Sequence, residues 1–214
     1  VAFDLAGNEG EGYTDLFSVT DNTPPTVNLD TPEDAVTGAL STVSWNANDN
    51  AGLRSHHLSF TVDGGQEFVF IDSVLAELSS YEWQVPDSLV SGECQIRIVS
   101  YDLVGLSDSD TSGNFTISDG IPPVVHQITP DSISIPEYED LSVTWDATDN
   151  IGLDSIQVYY SNDGGSTFDL MGILAGNMTQ FSFTVPAGVT ESAVVKLVAV
   201  DLAGNEGEGY SDLF

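Results

Sequence analysis

The sequence predicts an all-β chain of tandem sandwich domains, and three observations support this prediction. No stretch of the 214 residues has a sustained 3.6-residue apolar period; short alternating stretches are broken by Gly, Asp, Asn or Pro roughly every ten residues. The same ordered motifs occur twice, about 100 residues apart. In each copy a Trp (Trp45, Trp145) lies on an alternating stretch whose apolar positions match those of later stretches, as in a sandwich core.

The chain ends on nearly the same residues with which it begins. Residues 1–17, VAFDLAGNEGEGYTDLF, match residues 198–214, VAVDLAGNEGEGYSDLF, at all but two positions. A more diverged copy begins at Asp102, 98 residues after Asp4 and 99 residues before Asp201. Self-similarity at a fixed period indicates a repeat architecture. Because the outer copies are closer to each other than to the middle one, we expect an alternating array of two domain types.

The domain boundaries follow from a linker motif, Asp-x-x-Pro-Pro, at residues 21–25 and 119–123. This spacing gives domains of about 100 residues, an ordinary size for an independently folding unit. We predict that residues 1–20 are the closing F–G hairpin of a preceding repeat and that 21–118 form one sandwich. Residues 119–214 are predicted to form a second sandwich whose last strand is cut short. The Pro-Pro pairs stiffen the short linkers, which favours a rod over a flexible string of domains.

Alternation along each predicted strand assigns the residues that face the core. In the first repeat they are Val43, Trp45, Ala47, Leu58, Phe60, Val62, Tyr81, Trp83, Val85, Ile96 and Ile98. In the second repeat they are Val143, Trp145, Ala147, Val158, Tyr160, Phe181, Phe183, Val185, Val195 and Leu197. The aligned positions carry similar side chains, so the two repeats are expected to share one fold.

Charge is the most unusual feature of the composition, because 34 acidic residues stand against three basic ones, for a formal net charge of −31. This charge argues against binding to nucleic acid or to anionic membranes, since both are polyanions, and it favours cations. With 41% hydrophobic residues the chain can form a core, unlike a disordered acidic tail. Adaptation to high salt and binding of divalent ions both explain the acids. The one cysteine, Cys94, is predicted to be a buried thiol, and no apolar run is long enough for membrane insertion.

Three acids of each repeat are predicted to converge. In an immunoglobulin-type order of seven strands, A to G, the start of strand A, the B–C loop and the F–G loop lie at one pole. The alternation along strands B and F places Asp49 and Asp102 on the inward side, at the end of the core. Unpaired carboxylates are costly there unless a cation or backbone N–H groups satisfy them. Calcium takes six to eight oxygen ligands of this kind. The predicted metal ligands are Asp21, Asp49, Asn50 and Asp102 in the first repeat and Asp119, Asp149, Asn150 and Asp201 in the second.

A competing interpretation of these residues requires no ion. The Asp-Asn-x-Gly sequence at residues 49–52 and 149–152 is typical of Asx turns, in which a carboxylate accepts hydrogen bonds from its own loop. The excess of acids and the recurrence of all three positions favour calcium, although a duplicated sequence inherits its residues together. Because Asp21 and Asp119 belong to the linkers, an ion bound there would also fix one domain against the next.

The ordered motifs resemble those of a known family. A linker D-x-x-P-P, a Trp strand, D-N-x-G-L and a late D-x-x-G-N look like the bacterial immunoglobulin-like repeats of giant surface adhesins, and are similar in architecture to fibronectin type III and cadherin-like modules. The resemblance covers both full repeats and implies seven-stranded Greek-key β-sandwiches with calcium at the junctions between repeats. The middle copy departs from it, because residues 104–106 are Val-Gly-Leu where the outer copies have Ala-Gly-Asn. A site that depends on Asn8 or Asn205 would lack that residue in 21–118.

We therefore expect a non-enzymatic structural repeat segment of an extracellular stalk, adhesin or surface filament, made rigid at its junctions by calcium. The sequence has no Gly-rich phosphate loop, nucleophile elbow or cluster of His and Cys, and His56, His57 and His126 are interpreted as structural. The expected partners are neighbouring repeats of the same chain, other copies in a filament, and a host-cell or surface glycan contacted by other parts of the protein.

The alternative is a carbohydrate-binding or spacer module of a secreted hydrolase. This function requires exposed aromatic rings that form a platform on one face of a sandwich. Tyr101 and Tyr159 are candidate members of such a platform, but the residues aligned with them, Val200 for Tyr101 and Thr61 or Ser59 for Tyr159, do not repeat the pattern. A set of exposed aromatic rings on one sheet would therefore distinguish a carbohydrate-binding module from a purely structural repeat.

Overall fold

The computed structural model describes residues 1–130 and 134–214. These residues form strands, turns and loops and contain no helix, which confirms the all-β prediction. Within the same two ranges there is accordingly no helix with the length and apolar character that a bilayer crossing requires. The first residues carry a short antiparallel hairpin of β1 (Ala2–Phe3) and β2 (Glu9–Gly10), and all four of its strand residues are exposed.

The first sandwich follows this hairpin. Its strands are β3 (Thr26–Leu29), β4 (Ala35–Val36), β5 (Leu40–Asn48), β6 (Leu53–Thr61), β7 (Val69–Leu75), β8 (Ser80–Gln84), β9 (Ser91–Asp102), β10 (Ser107–Thr111) and β11 (Phe115–Ser118). One sheet has the order β3-β5-β8, and the other has the order β4-β11-β9-β6-β7 with β10 paired to β9. Strands β4 and β11 pair in parallel, so the first strand of this repeat crosses from one sheet to the other.

The described residues of the second sandwich, 119–130 and 134–214, form seven strands. They are β12 (Val124–Pro130), β13 (Asp140–Thr148), β14 (Leu153–Ser161), β15 (Asp169–Ala175), β16 (Gln180–Thr184), β17 (Val194–Asp201) and β18 (Glu206–Tyr210). Its sheets have the orders β12-β13-β16 and β15-β14-β17-β18, an immunoglobulin-like arrangement. In the first sandwich the edge strands A and G are each interrupted, near Pro32 and Gly113, because proline lacks a backbone N–H and glycine weakens a strand.

Each sandwich encloses its own hydrophobic core between its two sheets. In the first, the buried side chains include Val43, Trp45, Leu58, Trp83, Val85, Ile96 and Ile98. In the second, they include Val143, Trp145, Val158, Tyr160, Phe183, Val185, Val195 and Leu197. Strand alternation therefore predicted the centre of both cores correctly.

Val62 is the exception, since it was predicted to face the core and is 42% exposed. Strand β6 ends at Thr61, so Val62 lies in the bend that follows, where the alternation of the strand no longer applies. Thr61 takes the buried position instead and is 1% exposed. Its hydroxyl donates to the Asp63 carboxylate, which satisfies a polar group that the core cannot.

His56 is fully buried, and the structure supports its interpretation as a structural residue. Its Nδ1 lies 2.8 Å from Ser100 Oγ and its Nε2 lies 3.3 Å from the Ala76 carbonyl oxygen. Burial lowers the pKa of this imidazole. The ring also packs edge-on against Trp45, at 5.3 Å between ring centroids.

The turn between β14 and β15 is held by Asp163. Its carboxylate accepts hydrogen bonds from the Thr167 N–H and hydroxyl, at 2.8 and 2.7 Å, and from the Ser161 hydroxyl at 2.7 Å. The Thr167 backbone bond is the main cause that lowers the pKa of Asp163 to about 2. A carboxylate with a lowered pKa stabilises the fold above its ordinary pKa, and this contribution is lost as the pH falls through the lowered value.

We expect Asp163→Asn to have a lower melting temperature than the wild type at pH 7, and this difference to disappear between about pH 4 and pH 2. The reason is that the wild-type carboxylate becomes protonated, and loses its advantage over an amide, only in that range. Differential scanning calorimetry in chelator measures both proteins. Asp154→Asn, on the neighbouring strand β14, is the control, and a difference that stays constant down to pH 2 would contradict the prediction.

Candidate metal centres

Three aspartates that are distant in sequence meet at one pole of each sandwich. Asp21 precedes β3, Asp49 follows β5, and Asp102 is the last residue of β9. One carboxylate oxygen of each lies within 4.8 Å of an oxygen of the other two. The second repeat has the same arrangement with Asp119, Asp149 and Asp201. We call these groups the first and the second acidic cluster.

At Asp49 the local turn satisfies one carboxylate oxygen only. Oδ2 accepts hydrogen bonds from the N–H groups of Ala51 and Gly52, at 2.7 and 2.9 Å. This is the Asx turn that Asp-Asn-x-Gly favours, and Gly52 closes it with a φ of 111°. Oδ1 of Asp49 is buried and has no hydrogen-bond partner. The Asx turn and an open ligand position therefore occur on the same carboxylate.

Asp102 is the most buried acid of the first cluster, with none of its surface exposed. Its Oδ1 accepts hydrogen bonds from the N–H groups of Val104, Gly105 and Leu106, at 2.9, 2.6 and 2.8 Å. Its Oδ2 is buried and has no hydrogen-bond partner. A buried acceptor left unsatisfied costs about 1–3 kcal/mol, and more when it is charged. A bound cation would remove that cost.

Asp21 completes the first cluster from the linker. Its Oδ1 accepts hydrogen bonds from the Thr23 N–H at 3.1 Å and from the Asn50 amide at 3.2 Å. These bonds, that of Thr23 first, lower the pKa of Asp21, so the carboxylate is charged at neutral pH. Its Oδ2 is buried without a partner. The structure thus places Asn50 at the cluster with its amide N–H₂ turned to Asp21.

The second acidic cluster repeats this pattern at the junction between the sandwiches. Asp149 Oδ2 accepts from the N–H groups of Ile151 and Gly152, at 2.9 and 2.8 Å, and its Oδ1 is buried without a partner. Oδ2 of Asp119 and Oδ1 of Asn150 are also buried and unpartnered. Two carboxylates and one amide at this cluster therefore each keep a buried oxygen atom without a hydrogen-bond partner.

Asp201 differs from Asp102 because an asparagine satisfies it. Asn205 donates its side-chain N–H to Asp201 Oδ2 at 2.7 Å, and its backbone N–H to Oδ1 at 2.8 Å. Leu106 stands at the aligned position of the first repeat and leaves Asp102 Oδ2 free. Asn205 therefore occupies one carboxylate oxygen of the second cluster. The first cluster has no equivalent asparagine, and its Asp102 keeps that oxygen free.

In the part of the chain that the structure describes, no basic side chain forms an ion pair with an acid of either cluster. Among the described residues the one ion pair joins Lys196 to Glu208. At Asp119, burial alone would raise the pKa, but hydrogen bonds from Asn150, the Ile121 N–H and the Thr37 hydroxyl outweigh it and lower the pKa. Each cluster could therefore hold a metal ion with charged, oxygen-only ligands.

The preceding sandwich takes part in the second cluster. The Thr37 hydroxyl donates to Asp119 Oδ1 at 2.9 Å, and the Asn150 amide donates to the backbone carbonyl of Asp87 at 2.7 Å. The linker packs closely here, because a Cβ added at Gly120 would lie 2.9 Å from Val36. Sequence reasoning missed Thr37 and Asp87, since neither residue is shared with the second repeat.

The strand order and the two clusters define tandem immunoglobulin-like sandwiches with an acidic site at one pole of each. No protein-family profile matches the chain, and no curated protein matches it. Among solved structures, the FN1–FN3 domains of chicken CNTN1 are similar, with 14% identity over 90% of this chain and 70% of that one, and a TM-score of 0.33.

Two further structures are similar at the same level. Domains A168–A170 of titin are 12% identical over 90% of this chain and 66% of that chain, with a TM-score of 0.41. A 1.5-MDa bacterial ice-binding adhesin is 14% identical over 90% of this chain and 65% of that chain, with a TM-score of 0.32. At these TM-scores the fold assignment depends on the strands and sheets of the chain itself.

Proposed function

We propose that the chain is a non-enzymatic structural repeat segment of an extracellular stalk, adhesin or surface filament. In this proposal calcium binds both acidic clusters and locks each repeat to the one before it. The observation that carries the proposal is the set of buried carboxylate oxygens that have no hydrogen-bond partner, among them Oδ2 of Asp21 and Asp102 and Oδ1 of Asp49. The family that the motifs resemble, the bacterial immunoglobulin-like repeats of large adhesins, agrees with this role.

Calcium is the ion that the ligand chemistry favours. The clusters contain carboxylate and amide oxygens and no His or Cys, which excludes the ligand sets preferred by zinc and copper. Calcium accepts six to eight oxygens in flexible geometry, so loop carbonyls and water can complete the shell around three carboxylates. Extracellular modules bind calcium with dissociation constants of about 10⁻⁴–10⁻³ M, which suits a protein outside the cell.

The mechanical role follows from where the second cluster lies. Asp119 belongs to the linker, Asp149 and Asp201 belong to the second sandwich, and Thr37 of the first sandwich donates to Asp119. An ion that fixes Asp119 against the other two acids therefore fixes the linker, and with it the angle between sandwiches. Asp21 has the same position in the linker before the first sandwich, so a chain of such repeats would stiffen at every junction.

The rigidity of the junction tests the proposal directly. Spin labels on Gln66→Cys and Ser166→Cys, at aligned exposed turns of the two sandwiches, report the distance between them by double electron–electron resonance. Cys94 does not interfere, because it is buried and burial raises its thiol pKa to about 11. We expect a narrow distance distribution in calcium and a broader one in chelator.

A matched pair of variants separates this junction from the first cluster. Asp119→Ala should broaden the distance distribution in calcium, because it removes the linker ligand between the labelled domains. Asp21→Ala removes the equivalent linker ligand of the first cluster and should leave the distribution narrow. Equal widths in calcium and in chelator for the wild type would overturn the calcium lock.

A further inference from the structure

The few basic residues of the chain are gathered on one face and packed on aromatic rings. The guanidinium of Arg54 lies 5.6 Å from the centre of the Tyr101 ring, and that of Arg97 lies 4.7 Å from the centre of the Phe68 ring. Lys196, the third base, lies on the matching face of the second sandwich. In a chain with a net charge of −31, the outer face of the sheet that contains β6 and β9 is thus the place where positive charge concentrates.

On the first sandwich two bases lie beside a row of three rings, two of them partly exposed and one exposed. Phe70, His57 and Tyr101 lie on the adjacent strands β7, β6 and β9, with ring centroids 6.3 and 4.8 Å apart. Phe70 is 62% exposed, although burial of such a ring is favourable. Together with Phe68 and Arg97 these rings line a groove of about 220 Å³. This volume is below the roughly 300–1,000 Å³ of a drug-sized site, and it suits a single sugar ring.

In the second sandwich the basic side chain of the equivalent face pairs with a carboxylate. There Glu208 on β18 lies 3.5 Å from Lys196 and neutralises it. The aligned position on β10 is Ser109, because Glu208 pairs with Val198 as Ser109 pairs with Val99. The other outward positions of β10, Ser107 and Thr111, carry hydroxyls as well. Arg54 and Arg97 consequently have no carboxylate partner among the described residues.

We propose that this face of the first sandwich binds a carboxylated sugar, such as a uronic acid residue of a glycan. The guanidinium of Arg97 takes the carboxylate, as Lys196 takes Glu208, because planar guanidinium groups bind carboxylates through two hydrogen bonds. The electron-rich faces of Phe70 and Tyr101 accept the C–H groups of the sugar ring.

The same geometry disfavours an acidic peptide. The rings project from the face of β7, β6 and β9, whereas an extended peptide would pair its backbone with the outer edge of β7 and would not need this face. A protein partner would also need contacts well beyond the groove, since stable interfaces bury about 1,200–2,000 Å². A sugar needs neither a free strand edge nor a wide interface.

Isothermal titration of the full chain with a galacturonic acid tetrasaccharide tests the proposal. We expect binding of this probe and none of the neutral galactose tetrasaccharide. All titrations are done in chelator, which empties the proposed calcium sites and keeps this result independent of the proposed function. Poly-L-glutamate is the third probe, and binding as tight as that of the uronate would show an acidic-peptide site and overturn the proposal, as would no binding of the uronate.

Substitutions of one ring and of one guanidinium locate the site. Tyr101→Val introduces the residue found at aligned position 200, and Arg97→Gln removes the guanidinium; each should weaken uronate binding at least tenfold. Lys196→Gln, on the neutralised face, is the control and should leave the affinity unchanged. An unchanged melting temperature shows that each variant is folded. Full affinity in Arg97→Gln, or loss in Lys196→Gln alone, would overturn the assignment.

Discussion

Calcium is expected to raise the melting temperature of the wild-type chain by about 10–20 °C over its value in chelator. Binding at a hundredfold excess over the dissociation constant stabilises a folded domain by about 2.7 kcal/mol. For a domain of 60–100 residues, each kcal/mol shifts the melting temperature by about 4–8 °C. The physical reason is that the ion satisfies buried charged oxygens, such as Asp102 Oδ2, that otherwise have no partner. Differential scanning calorimetry measures the shift.

The double variant Asp49→Asn/Asp149→Asn is the sharpest control for this prediction. Its amide oxygen can still accept the turn N–H groups that Oδ2 accepts in the wild type, so the Asx turns persist. The amide nitrogen replaces the free oxygen, which removes a ligand and a negative charge from each cluster. In chelator we expect this variant to melt at or above the wild-type temperature, because like-charge repulsion is reduced.

Calcium should then leave the melting temperature of the double variant nearly unchanged. A wild type that melts at the same temperature in calcium and in chelator would contradict the prediction. So would a double variant that responds to calcium as strongly as the wild type. Magnesium provides a further comparison, because it demands octahedral geometry at shorter distances and gives up water reluctantly.

The sequence was sufficient to predict the centre of each core and the approach of the acids. Alternation along β5 fixes the side of Val43 and Trp45, and the same parity carries on to Asp49 at the end of the strand. The strand order then brings the B–C loop, the F–G loop and the linker to one pole. These conclusions need only the alternation of apolar residues along each strand and the strand order of an immunoglobulin-like sandwich.

Contacts that depend on register or on differences between repeats were not predictable. The bulge opposite Leu58 and Ser59 places Phe70 of β7 beside Ser59, and it thereby sets which rings of β7 and β6 meet on the outer face. The sequence predicts Tyr101 and Tyr159 as candidate platform members. In the structure the neighbours of Tyr101 are His57 and Phe70, and Val200 stands at its aligned position in the second repeat. A search for exposed rings at repeated positions could not find a row that only one repeat contains.

The closing strand shows a further difference between repeats, and it carries the second large prediction. In the second sandwich β18 has the sequence Glu-Gly-Glu-Gly-Tyr, and Gly207 faces strand β12. A Cβ added at Gly207 would lie 1.9 Å from the Pro123 carbonyl oxygen, and one added at Gly209 would lie 2.6 Å from Val125 Cγ1. In the first sandwich the position aligned with Gly207 holds Asp108, whose carboxylate accepts the Val27 N–H at 3.2 Å.

Gly207→Ala is therefore expected to destabilise the second sandwich by about 3 kcal/mol, the upper end of the cost of overpacking. The clash is with backbone, which no side-chain rotation relieves, so β12 must move away from β18 and open the edge of the core. The corresponding fall in melting temperature is about 10–25 °C. Two calorimetric transitions should appear, because the first sandwich has its own core and keeps its stability.

The repeated motif supplies its own control, since Gly10 has the position in residues 1–17 that Gly207 has in residues 198–214. A Cβ at Gly10 would meet only the Ala2 carbonyl oxygen, at 3.9 Å, so Gly10→Ala should change the melting temperature by less than about 2 °C. If the two variants melt alike, strand β12 does not lie against β18 as the structure places it. A fall confined to Gly207→Ala shows that the requirement for glycine comes from the contact with the Pro123 carbonyl and not from the turn motif itself.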